Sequence, residues 1–62
     1  MPTAEDVAAR IARLLEDKPR TFYEVLRQLG DVEYRTILQA WGALRERKRL
    51  GRDAEGYYLL KG

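Results

Sequence analysis

The sequence predicts a mainly α fold, three helices closed by a C-terminal β-hairpin, on three observations. Apolar residues recur at helical spacing in three stretches separated by Pro19 and Gly30. Two of those stretches open on a threonine placed to cap a helix, and after Leu50 the apolar period shortens to that of strands. All 62 residues read as one small domain, near the lower size limit for a core without disulfides, metal or oligomerisation.

Helix 1 is expected over about residues 3–17. Thr3 can cap the amide of Asp6, and Glu5 and Asp6 suit the positive end of the helix dipole. Val7, Ile11, Leu14 and Leu15 form its apolar stripe, with Ala8, Ala9 and Ala12 leaving low relief beside it. Pro19 lacks an amide donor and pushes Lys18 out of helical geometry, so the helix ends near Asp17.

Thr21-Phe22-Tyr23-Glu24 has capping-box spacing and opens helix 2, about residues 22–29, which buries Phe22, Val25, Leu26 and Leu29. Gly30 is expected to stop it with a positive φ. Helix 3 follows over about residues 33–48, with Tyr34, Ile37, Trp41 and Leu44 as its core stripe. Trp41, central in that stripe, reads as core. Gly42 beside it costs about 1 kcal/mol relative to Ala in a helix interior, which points to close approach of another backbone or of a nucleic acid.

Residues 50–60 read as strand, turn and strand, closed at Gly56. Tyr57 and Tyr58 must point to opposite faces, leaving one ring exposed. Lys61-Gly62 is expected to fray.

Composition removes several classes of function. Without Cys or His there are no disulfides, thiolate metal sites or imidazole catalysis, and with no Ser and only scattered acids the expectation is no enzyme, no cofactor and no metal. No stretch is apolar enough to span a membrane and the acidic start does not read as a signal peptide, so a cytoplasmic location is expected. Nine of the twelve basic residues are Arg, a bias that fits a thermophilic or high-GC source. The net charge of +2 is unevenly placed: residues 1–31 carry five basic and six acidic side chains, residues 32–62 seven and four, giving −1 and +3.

Helix, short helix, turn, longer helix and hairpin, with Gly30, Ile37, Trp41, Leu44 and Leu50 at matching spacing, resembles the small bacterial and archaeal winged helix-turn-helix regulators. The resemblance covers nearly all of the chain and makes Arg20-Thr21 a short first strand and Leu50–Leu60 the wing. It implies a double-stranded DNA-binding regulator, working as a homodimer on two half-sites, with helix 3 in the major groove. In that docking Arg35 and Gln39, one turn apart, are the candidates for base edges. Tyr34, Thr36, Arg45, Arg47, Arg49 and Arg52 are the candidates for phosphates, and charge reversal at Arg47 and Arg49 should flatten the salt dependence. The extra turn residue Asp31, Lys48 where glycine is frequent, Glu33 at the helix start and the acidic tip at Asp53 and Glu55 depart from the family pattern. They argue against tight, conventional operator binding, and the acidic tip, with Leu38 and the exposed member of Tyr57 and Tyr58, favours a second expectation, a module docking on a larger enzyme or nucleic-acid-processing complex.

Overall fold

The computed structural model describes residues 2–61; Met1 and Gly62, the latter part of the expected frayed end, lie outside them. The chain is mainly helical: α1 (Ala4–Asp17), α2 (Phe22–Gln28) and α3 (Tyr34–Glu46), then an antiparallel hairpin of β1 (Leu50–Arg52) and β2 (Tyr58–Leu60). Leu50, Gly51 and Arg52 pair with Leu60, Leu59 and Tyr58. The helices use the start signals written in the sequence. Thr3 with Asp6, and Thr21 with Glu24, both close full capping boxes, satisfying amide donors that a helix start leaves free. The Glu24 carboxylate accepts from the Thr21 amide and hydroxyl, which holds its pKa below the ordinary value.

Val7, Ala8, Ile11 and Leu15 of α1 meet Val25 and Leu29 from the second helical segment and Ile37, Ala40, Trp41 and Leu44 of α3 in one buried cluster. Ala8 therefore belongs to the core itself. α1 packs chiefly on α3, while the hairpin closes over the helices through Leu50, Tyr58 and Leu60. Arg20 ties the hairpin to the α1–α2 connection. Its amide donates to the Tyr58 carbonyl at 2.9 Å and its carbonyl accepts from the Tyr58 amide at 2.7 Å, so β2 is paired on both edges at that residue.

Four expectations are corrected. Gly30 has no positive φ: Leu29 caps α2, and the Val32 amide donates to the Leu29 carbonyl at 3.0 Å across a turn that needs no left-handed residue. Tyr34 is 57% exposed, because Val32, just before the helix, packs on the core in its place. Lys61 is held: its amide donates to the Arg49 carbonyl at 2.7 Å. Finally, α3 stops at Glu46 rather than Lys48. The Lys48 amide donates to the Arg45 carbonyl and the Arg49 amide to the Leu44 carbonyl, the two bonds of a Schellman termination, with Lys48 at φ 57° where glycine is favoured.

A non-glycine left-handed residue costs about 1–2 kcal/mol, against roughly 0.5–1 kcal/mol that glycine loses through its freedom in the unfolded chain. Lys48→Gly is therefore expected to stabilise the protein by about 0.5–1 kcal/mol, seen as a rise of a few degrees in Tm by circular dichroism. A fall in Tm would mean that the lysine side chain contributes more than its backbone strain costs.

Candidate functional site

The turn between α2 and α3 is fixed by a long-range pair. Arg10 of α1 presents two guanidinium nitrogens to both carboxylate oxygens of Asp31 at 3.1 and 3.2 Å, and this hydrogen bonding holds the Asp31 pKa below its ordinary value. The extra turn residue thus pairs with α1, through side chains that stay 42% and 66% exposed. What α3 turns outward is its remaining surface: Arg35, Leu38, Gln39, Arg45 and Glu46 are exposed, and Leu38 is 46% accessible. Residues 35, 39, 42 and 46 follow at 4, 3 and 4, so they share one side of the helix, with Leu38 and Arg45 flanking it. The base-edge candidates Arg35 and Gln39 are therefore together and free of the core, while Tyr34 and the half-buried Thr36 stand at the first turn. That end carries Glu33, whose side chain makes no capping bond.

The five basic residues that stand close in sequence are divided by the fold. Arg45 of α3 and Arg52 of β1 line a groove of about 400 Å³ between α3 and the hairpin, with Trp41, Leu50, Gly51 and Tyr58. Arg52 lies over the Tyr58 ring at 5.1 Å, and its Nε donates to the Gly56 carbonyl at 3.4 Å. Arg47 and Arg49 instead line the side where α3 meets α1, with Glu5, Ala8, Ala9, Ala12 and Leu44. Arg47 is paired there with Glu5, and the Arg49 Nε donates to the Lys61 carbonyl. Positions 45 and 47 stand about 200° apart around a helix, so this split was present in the helical period. Lys48 at the termination continues neither row.

Trp41 and Tyr58 form the groove's aromatic wall. Trp41 meets Phe22 at 4.8 Å and Tyr58 at 4.9 Å between ring centroids, both edge to face. Tyr58 is thus the ring of the pair that packs on the core, whereas Tyr57 is exposed. The acid at the hairpin tip acts within its own turn. Asp53 Oδ1 accepts from the Glu55 and Tyr57 amides, each at 2.9 Å, and Gly56 takes φ 91° to close the turn. Leu50, Gly51 and Tyr58, absent from the candidates for nucleic-acid contact, complete the groove; only the packing of the hairpin against α3 reveals them.

Among the described residues no helix is long and apolar enough to cross a membrane. Compared with known proteins, the chain matches no protein-family model, no curated protein and no solved structure.

Proposed function

We propose that the chain is a winged helix-turn-helix domain that binds double-stranded DNA, as a small cytoplasmic regulator of transcription acting as a homodimer. α2, the Leu29–Val32 turn and α3 form the reading unit, the hairpin is the wing, and Arg20 beside Tyr58 is the short first strand. One observation carries the reading. Among the described residues the ion pairs use Arg10, Arg20 and Arg47, and of the nine basic residues left without an acidic partner Arg45 and Arg52 stand together, flanking the groove between α3 and the hairpin. Unpaired guanidinium groups on both rims suit a phosphate backbone, and Arg35 with Gln39 suit base edges.

The test is a salt titration of binding to random-sequence duplex, followed by fluorescence anisotropy. Log affinity is expected to fall linearly with log salt, and Arg45→Gln and Arg52→Gln should each reduce the slope by about one. Absence of binding at low salt would overturn the reading. It would leave a second one, a protein-docking module, favoured by the exposure of Tyr34 and Leu38 one turn apart on α3, with Tyr57 on the hairpin.

A further inference from the structure

We infer that the open notch over Gly42 is the seat of one sugar-phosphate strand of duplex DNA, gripped by Arg45 and Arg52. The inference rests on the DNA-binding reading and adds where on α3 the strand lies. Gly42 stands in the interior of α3, where alanine is the better helix former, yet a Cβ built on it meets nothing within 4 Å. Nothing inside the described chain therefore accounts for the missing side chain, and the expected close approach of another backbone of this chain is absent. The space above it is a depression of about 400 Å³ lined by Gly42, Arg45 and Glu46. Arg45 also lines the α3–hairpin groove, so the notch and the groove adjoin along one path that leads to Arg52.

Charge sets the direction of a strand on that path. Glu33 places an acid at the start of α3, and Glu46 places one on the rim of the notch away from the hairpin. Phosphates are repelled from both and drawn to the side where Arg45 and Arg52 stand without acidic partners among the described residues. The strand thus crosses the C-terminal half of α3, and the glycine lets it approach by the depth of one side chain. Contact of this kind is made to the backbone and carries no sequence preference of its own.

Gly42→Ala separates this role from a merely structural one. By helix propensity alone the variant should melt about 4–8 °C higher than the parent chain. Its affinity for random-sequence duplex at low salt should nevertheless fall by about fivefold or more, the loss expected when one charge-assisted contact is pushed off. Glu46→Gln should bind about twofold tighter or better. If the parent chain binds duplex and Gly42→Ala binds it equally well while folded, the seat is not at Gly42 and the DNA reading stands without it. If the parent chain does not bind at low salt, both fall.

Discussion

Trp41→Ala is expected to cost about 3–5 kcal/mol, the range for removing a large buried aromatic side chain. A chain of this length has roughly 3–9 kcal/mol of stability in all, so the variant should lose at least about a third of it and, at the lower end of that range, be largely unfolded at 25 °C. The size of the effect follows from position. Trp41 is 8% exposed and is the ring through which α3 joins two other segments: Phe22 from α2 and Tyr58 from β2 both meet it edge to face. Each such pair adds about 0.5–1.5 kcal/mol beyond the area it buries. Removing the indole therefore opens a void in α3 and detaches the hairpin and α2 from it together. Far-UV circular dichroism reads the outcome, since the variant loses the single Trp that would otherwise report unfolding. A cooperative melt at the parent temperature would show that the three elements hold together without the ring. Trp41→Phe should keep the fold at a lower Tm, because a smaller ring fills part of the same space.

The second large effect is expected at Arg20. α1 has no basic residue in its last turn, and the cation is supplied from beyond Pro19. The Arg20 Nε donates to the Leu14 carbonyl at 3.0 Å and a terminal nitrogen donates to Asp17 at 3.2 Å, from a side chain only 12% exposed. It thereby adds a charge-assisted donor to a carbonyl that otherwise accepts only a long bond, 3.4 Å, from the Lys18 amide, and it places positive charge at the negative end of the dipole. Asp17 is 71% exposed and adds little. Arg20→Ala is expected to cost about 2 kcal/mol, mainly through the charge-assisted bond to Leu14, and to lower the urea midpoint by roughly 1–2 M. Its backbone bonds to Tyr58 involve no side chain and should persist, so the loss falls on the α1 end rather than on the sheet. An unchanged midpoint would mean that the Lys18 amide, with water, serves the Leu14 carbonyl as well as the guanidinium does. Arg20→Lys should recover only part of the loss, because an ammonium lacks the fork that reaches Leu14 and Asp17 at once.

Where the sequence was legible, the signal acted within about one turn. Thr3 and Thr21 each stand three residues before the acid that completes their capping boxes, and Pro19 acts on the residue beside it. Gly56 closes a turn whose other determinant, Asp53, lies three residues away. The misreadings occurred where a local preference was outweighed. Gly30 can adopt a positive φ, but the amide of Val32 closes the turn on Leu29 without one, so that freedom went unused while Lys48 took the left-handed position instead. Tyr34 has the spacing of a core residue, yet it opens α3 at the edge of the packed surface, where Val32 already covers the core.

The candidate site was legible in the same proportion. Arg35, Leu38, Gln39 and Arg45 could be placed outward by subtracting the apolar stripe of α3, and the structure keeps them there. The division of Arg45 from Arg47 follows from the helical period, but which neighbours each basic residue meets, Glu5 for Arg47 and the hairpin groove for Arg45 and Arg52, depends on the packing.

The sequence by itself determined the number, order and type of the elements, the two capped helix starts, the hairpin turn and the outward face of α3. Each follows from periodicity or from hydrogen bonds between residues a few positions apart. Only the tertiary structure decided that Arg47 is spent on Glu5, that Asp31 answers Arg10, that Tyr58 seats against Trp41, and that Arg45 and Arg52 are left facing one groove. Those partners are far apart along the chain, and apart from Arg45 and Arg52 they meet because burying the helices' apolar stripes brings α1, α3 and the hairpin together. That same burial sets the hairpin beside α3, and so places Arg45 and Arg52 on one groove.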